Sequence, residues 1–450
     1  MSNRLALSMI VRNGGEDFVH CLESVRGVVD EIVIADTGST DSSIAIAHQF
    51  GAEVIRIPWT NDFAAARNAA LAPVTADWVL VLDADEQLDE QARTQIPAAL
   101  QARNVEGHIV TIRNYVHSMT ERLWDKPAIA NDGRLAWATQ FAGYLEHENV
   151  RLFRSKPEIR FAGRVHETVG TGIEARGGKL GHTDFVIHHF GFTATAGQKA
   201  AKSSFYRELG RQKIQEMPDN AQAHFELGLV ELDNFQNYEE ASRLLARACE
   251  LNPSLAVAWF FHGVAYARRQ QDAKALPCFA RARRLGMDSA PLAEAEADSF
   301  YNCQQFTEAR KAYRKALQLR SSTDVLSKLG LTEVRLNQVD AGLKKIKTSV
   351  ANSPGTPELH DRLVLAELSL GHIAAAAQAA EDKLHAVQRT ESGFLRAAAL
   401  WLHAKRAEHV LEILRVGMQE FPNSAELTQA FNQMEAKKLE AAQSANFAAH

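Results

Sequence analysis

Two carboxylates separated by one residue close an apolar run in Leu80-Val-Leu-Asp83-Ala-Asp85-Glu86. Acids at this spacing, just past a buried strand, can meet one hard cation with oxygen ligands and leave positions open for phosphate. The plainer alternative is a solvated turn whose acids stand at the N-terminus of a helix over 86–100. No glycine follows at the sixth position of an EF-hand loop, so that calcium site is excluded. Another acid, Asp36, ends Glu31-Ile-Val-Ile-Ala-Asp36 and is followed by Thr37-Gly38-Ser39-Thr40-Asp41. Such a turn exposes backbone N–H groups at a helix start, and the acid can accept bonds from a ribose or a base. The first turn, Arg12-Asn13-Gly14-Gly15-Glu16, contains no GxGxxG, which argues against a nicotinamide-dependent oxidoreductase. His166, His182, His188 and His189 form a competing zinc set, but no cysteine and no regular ligand spacing accompany them.

These residues need strands to carry them. Leu5–Val11, Glu31–Ala35, Glu53–Ile57 and Trp78–Leu82 read as strands, with helical spacing over Glu16–Val25, Ser42–Phe50 and Phe63–Leu71 between them. Strands alternating with helices predict a mostly parallel, Rossmann-like α/β sheet whose ligands bind beyond the carboxyl ends of the strands. From about residue 220 the period changes. Ala241, Ala275 and Ala309 are 34 residues apart, as are Ala248, Ala282 and Ala316, with Leu245, Phe279 and Tyr313 in phase. That is the tetratricopeptide period, in which small residues let two helices approach and larger ones fill the groove. The expected organisation is an α/β domain over 1–195, a connecting helix over 196–219, and an all-α solenoid over 220–438. The solenoid would hold about six units and a cap, with a frayed tail over 439–450.

Four motifs in order carry a resemblance: Leu7-Ser-Met-Ile-Val-Arg-Asn13, Asp36-Thr-Gly-Ser-Thr-Asp41, Asn61-Asp-Phe-Ala-Ala-Ala-Arg67-Asn68 and Asp83-Ala-Asp85-Glu86. Together they resemble family 2 glycosyltransferases of the GT-A fold, in the branch with C-terminal tetratricopeptide repeats. The resemblance covers residues 1 to about 195. It implies an inverting transfer from a nucleotide sugar, usually a UDP-sugar, with a divalent metal (Mn2+ or Mg2+). It implies that Asn13, Asp36, Ser39, Arg67, Asn68 and Asp83 serve the donor, with Asp36 on the uridine, Arg67 on the pyrophosphate or base, and Asn68 supporting the loop. Asp83 and Asp85 correspond to the DxD pair, Asp85 being the more direct metal ligand, and His189 resembles the late histidine that binds metal or phosphate. Many relatives carry two adjacent acids before Gly-Ser; Thr37 fills the second slot here. The family's Glu-Asp pair is absent between 130 and 190, and His166-Glu167 stands at the matching place. Glu167 is the expected base and His166 the substitute. Trp124, Trp137, Tyr115 and Tyr144 would line an acceptor groove or form core.

The composition is compatible with this reading and excludes others. The chain has 450 residues and a net charge of −5, so no global basic field invites nucleic acid. Cys21, Cys249, Cys278 and Cys303 lie far apart and read as reduced thiols. No apolar run reaches the ~18 residues of a membrane span, and the first residues read as a strand rather than a leader, so a soluble, cytoplasmic protein is expected. The Gln-x-x-Arg-Trp motif of processive synthases is missing, as are P-loop, HExxH and nucleophile-elbow motifs. The expected function is transfer of a single sugar, of glucose or N-acetylglucosamine type, to a peptide or protein acceptor chosen with help from the repeats. Solenoids of this kind often pair, so a homodimer is a further expectation. The alternatives are a lipopolysaccharide or other glycan acceptor, or a repeat scaffold with an inactive transferase domain.

Overall fold

The computed structural model describes residues 3–447 except 120, 121, 124, 125, 132, 134, 136, 137, 191–195 and 388; side chains at 122, 123, 126, 127, 196–202 and 439–447 are also outside the description. The chain divides into two compact units, Met1–Pro253 and Ser254–His450.

The first unit opens with β1 (Leu5–Val11), α1 (Gly15–Ser24), β2 (Glu31–Asp36), α2 (Ser43–Gln49), β3 (Glu53–Arg56), α3 (Phe63–Leu71) and β4 (Trp78–Val81). It continues through β5 (Glu86–Leu88), α4 (Ala92–Leu100), β6 (Gly107–Val116), β7 (Arg122–Leu123), β8 (Lys126–Pro127), β9 (Ile129–Ala130), β10 (Gly143–Arg154), α5 (Gly170–Ala175) and β11 (Leu180–His189). The main sheet has the order β3-β2-β1-β4-β10-β6-β11-β5, with β9 beside β10. β1, β2, β3 and β4 are parallel, as are β6 and β11, while β10 and β5 pair antiparallel to their neighbours. The fold is therefore the mostly parallel α/β sheet that the alternating pattern implies.

Strand alternation builds two cores, one on each face. Leu5, Leu7, Met9, Val11, Trp78, Leu80 and Leu82 pack with Phe18 and Leu22 of α1 and Ile96 of α4. The intervening Val79 and Val81 join Ala64 and Leu71 of α3, Phe153 of β10 and Ile173 of α5 on the other face. Sheet residues covered on both sides read as continuous apolar runs, which is why β4 is buried at every position.

The helix expected over 86–100 begins only at Ala92. Glu86–Leu88 is instead a strand, in register with Leu88 opposite Ile187 and Glu86 opposite His189. Glu86 is thereby 1% exposed, which removes the solvated-turn alternative for this acid.

After the sheet come α6 (Ala196–Glu216), α7 (Ala221–Leu229), a single π turn over Val230–Asn234, and α8 (Tyr238–Leu251). The second unit holds α9 (Ala256–Arg268), α10 (Asp272–Arg284), α11 (Ala290–Asn302), α12 (Phe306–Leu319), α13 (Thr323–Arg335), α14 (Val339–Asn352), α15 (Pro357–Ser369), α16 (Ile373–Ala386), α17 (Glu391–His403), α18 (Ala407–Glu420) and α19 (Ala425–Phe447). The last helix runs past residue 438, where a frayed tail was expected. Close approach explains the repeated small residues. A Cβ on Gly228 would lie 2.8 Å from Leu245, and one on Gly263 would lie 2.5 Å from Phe279. The alanines of the 34-residue period are all fully or almost fully buried. These are tetratricopeptide-like helix pairs.

Candidate active site

A cavity of about 720 Å³ opens at the carboxyl ends of β1, β2 and β4. Asp83, Asp85, Arg67, Glu167, His166 and His189 all line it, drawn from four separate stretches of chain. Parallel strands end together at one edge, so acids placed just past a strand end are delivered to a common rim.

Asp83 and Glu86 close the four-residue turn after β4: the Glu86 N–H donates to the Asp83 carbonyl at 3.0 Å, and the Asp83 N–H donates to Glu86 Oε2 at 2.8 Å. Arg151 of β10 reaches across to Glu86 Oε1 at 2.8 Å and Asp83 Oδ2 at 3.5 Å. Arg67 of α3 donates from Nη2 to Asp83 Oδ1 at 2.6 Å and from Nε to Glu167. One guanidinium thus lies between two carboxylates whose own α-carbons are far apart in sequence. Burial opposes the charge on Asp83, but Arg67 and then Arg151 outweigh it and hold this carboxyl well below the usual carboxylate range. For Glu86 the balance goes the other way: burial and the Asp83 charge exceed the pull of Arg151 and raise it. Arg67 is 7% exposed, and its Nη1 is buried with no hydrogen-bond partner among the described residues. A buried donor of this kind, lining an open cavity, suits an anion.

Across the turn, Asp85 Oδ2 lies 3.2 Å from His189 Nε2. His189 Nδ1 contacts Asn114 Oδ1 at 2.7 Å, while Asn114 Nδ2 donates to the Leu145 carbonyl at 3.2 Å. The amide of Asn114 is oriented by that carbonyl, so its oxygen accepts and Nδ1 of His189 carries the hydrogen. Nε2 is left facing a carboxylate, an arrangement that needs a positive charge between them, either a proton or a shared cation. Burial works against the imidazolium, but Asp85, Glu86 and Asp83 together raise His189 above its ordinary value. The donor set therefore fits a hard divalent ion held by one or two protein groups with phosphate oxygens and water filling the rest. Among the described residues, no three His, Cys, Asp or Glu side chains converge as a closed metal set.

The remaining predicted donor residues, Asn13, Asp36, Ser39 and Asn68, are not among the residues that line the cavity. Asp36 is 2% exposed and accepts from the Gly38 and Ser39 N–H groups, folding its own loop. Ser39 Oγ accepts from the Asn13 N–H, and Asn13 Oδ1 accepts from the Thr40 N–H at 2.8 Å, stitching the turns after β1 and β2 together. Thr37, from the same loop, does line the cavity. Asn68 holds both backbone groups of Phe161, at 2.9 and 3.0 Å, and so anchors the segment leading to Glu167.

His166 has φ 51°, a left-handed conformation uncommon for a residue with a Cβ, and its ring stacks on Tyr206 of α6 at 6.0 Å. Tyr206 also stacks on Phe63, which meets Trp59 edge-on at 4.8 Å, so one side of the cavity is an aromatic wall. Burial, with the charges of Glu167, Asp83 and Asp85, pushes the Tyr206 phenol up to about 12. The zinc set does not assemble. His188 and His189 are neighbours on a strand and so face opposite ways. His188 is buried against the Tyr115 hydroxyl at 3.1 Å and is lowered to about 4 by burial and Arg113. Tyr115 and Tyr144 are core, packed with Phe141; Trp124 and Trp137 lie outside the described residues.

Arg151, Asn114 and Tyr206 are site residues that no motif in the sequence marks. A charge inside the otherwise apolar Val150–Phe153 run was the available signal for Arg151. Asn114 and Tyr206 give none, because their partners come from distant strands and a helix assigned to a connector.

Residues 7–159 match the family model described as glycosyl transferase family 2. The chain is 30% identical over 278 residues to a TPR repeat-containing protein of Synechococcus elongatus, covering 60% of this chain and 63% of that protein. It is also 30% identical over 106 residues to an uncharacterized glycosyltransferase of Rickettsia felis, covering 24% of this chain and 37% of that one. The chain thus spans less than two thirds of either relative's length. Among solved structures, YrrB, a TPR protein with an unusual peptide-binding site, aligns at 19% identity and TM-score 0.36, covering 44% of this chain and 99% of YrrB. No described helix is long and apolar enough to cross a membrane. The match begins on β1, ends beyond β10 and includes the Asp83–Asp85 turn: residues 7–159 are similar to glycosyl transferase family 2, and tetratricopeptide-like repeats follow them.

Proposed function

We propose that the domain moves a single sugar from a UDP-sugar to a peptide or protein acceptor, with inversion at the anomeric carbon. The observation that carries this reading is the convergence of Asp85–His189 and Asp83–Arg67–Glu167 on one cavity at the strand ends. Asp85 and His189 are the residues that would hold Mn2+ or Mg2+, which when bound supplies positive charge for the departing diphosphate. Arg67, with Nη1 unused, adds a fixed donor toward the same oxygens.

Glu167 is the base of this proposal. As the acceptor's nucleophilic atom forms its bond to the anomeric carbon, Glu167 takes that atom's proton. The bond from the anomeric carbon to the diphosphate oxygen breaks, and its electron pair leaves with the phosphate. The Arg67 contact keeps Glu167 aimed, and His166 lies next to it on the aromatic wall. The helical repeats support a peptide or protein acceptor, since such solenoids present extended binding faces. The test is UDP release from UDP-glucose and UDP-N-acetylglucosamine, with and without Mn2+. Turnover lost on Asp85→Ala supports the reading, and turnover unchanged by that substitution overturns it.

A further inference from the structure

Three consecutive residues before Glu167 are each held by a side chain of α6. Arg164 Nε bonds Glu216 at 2.5 Å, the Val165 carbonyl accepts from Lys213 Nζ at 2.8 Å, and the His166 ring stacks on Tyr206. Positions 206, 213 and 216 share one face of a helix, seven and three residues apart. Lys213 is 6% exposed and also pairs with Glu226 of α7 at 2.8 Å. On another face, Arg207 makes a two-bond contact, at 2.7 and 2.8 Å, with the fully buried Glu231 in the π turn after α7. Gly210 lets Leu227 of α7 come close, since a Cβ there would lie 3.0 Å from it. α6 is thus clamped between the Glu167 segment and the first helix pair of the repeats, all within the first compact unit.

We propose that α6 is a strut through which the first repeat sets the position of Glu167, with Lys213 as the positioning residue. This rests on the reading of Glu167 as the base. A lysine buried this deeply is retained where both its partners are fixed, here a backbone carbonyl on the catalytic side and a carboxylate on the repeat side. The Val165 carbonyl is two residues from Glu167, and Gly163, with φ 99°, makes the turn at which Lys213 approaches the backbone. Without Lys213 the segment keeps Arg67 at one end and the Glu216 and Tyr206 side-chain contacts, but loses the bond from α6 to its backbone.

The test compares full-length wild type with Lys213→Met, Lys213→Arg and Glu216→Gln. Glu216 is 47% exposed on its side chain, so its substitution checks the strut without threatening the fold. The expected result for Lys213→Met is a fall of more than ~10-fold in kcat for UDP release, with the donor KM within ~2-fold. Amide exchange protection over 163–168 is lost, Lys213→Arg restores most of the rate, and Glu216→Gln gives a smaller loss of the same kind. Folded variants with kcat within ~2-fold of wild type, or a loss confined to donor KM, overturn the strut. If the wild type releases no UDP, the transferase reading falls. The exchange comparison then decides the strut alone: unchanged protection over 163–168 in Lys213→Met refutes it.

Discussion

Asp85 Oδ2 stands 3.2 Å from Nε2 of His189, although 104 positions separate the two residues. The pairing exists because β5 lies against β11, with Glu86 opposite His189. Neither group is positioned by its own segment alone. Asn114 sets the imidazole through Nδ1, so it should control ion binding without touching the ion. Asn114→Leu is expected to weaken Mn2+-dependent UDP affinity by about 10–100-fold by calorimetry. Unchanged affinity would show that the orientation of His189 does not matter.

Arg67 joins Asp83 to Glu167, and the two carboxylates depend on it differently. Replacing the arginine with methionine takes the ion-pair partner from the partly buried Glu167 and leaves Asp83 with only the longer Arg151 contact. A loss of about 3–5 kcal/mol in unfolding free energy is expected, read by denaturant titration. Glu167→Gln keeps a hydrogen-bonding partner for Arg67 Nε and removes the proton acceptor. Its kcat should fall by about 10²–10⁴-fold while UDP affinity stays near wild type. Full activity in the glutamine variant would remove Glu167 from the mechanism.

His262 of α9 gives the solenoid a pH dependence. Burial lowers it to about 4, against about 6.5 for the unfolded chain. As pH falls, the unfolded state takes up the proton first. The stabilisation is fully present above 6.5 and is lost progressively between 6.5 and 4. Nε2 of His262 is buried without a hydrogen-bond partner among the described residues, so protonation in place is not relieved. The melting temperature of wild type should drop more steeply between pH 6.5 and 4.5 than that of His262→Gln. Parallel slopes would contradict the assignment.

Gly263 is where α9 meets α10. Alanine there puts a methyl 2.5 Å from a ring carbon of Phe279, whose side chain is fully buried. Over-packing of this kind costs about 1–3 kcal/mol. Gly286→Ala meets nothing within 4 Å but forces alanine to φ 95°, so its cost is backbone strain instead. Combining Gly263→Ala with Phe279→Leu should recover part of the first loss in a thermal melt and none of the second.

The strand–helix alternation and the 34-residue period were legible in sequence because each repeats a local pattern many times. The acids after β4 were legible because charge follows an apolar run abruptly. Glu86 was not, since a strand of three residues carries no period and its partner β11 is distant. The work of α6 was hidden for a related reason. Tyr206, Lys213 and Glu216 show their meaning only against residues 164–166, and a polar helix between two domains reads as a connector until its contacts are known. Asp36 and Ser39 show the converse. Their motif was recognised, yet their polar groups tie loops together.

The most direct test of the central claim is calorimetric titration with UDP, with and without Mn2+, of wild type and the Asp83→Ala/Asp85→Ala variant. Metal-dependent UDP binding by the wild type, lost in the double variant, is the predicted result. Absence of UDP binding in every condition, or binding unchanged by removal of both acids, would contradict a donor site at the ends of these strands.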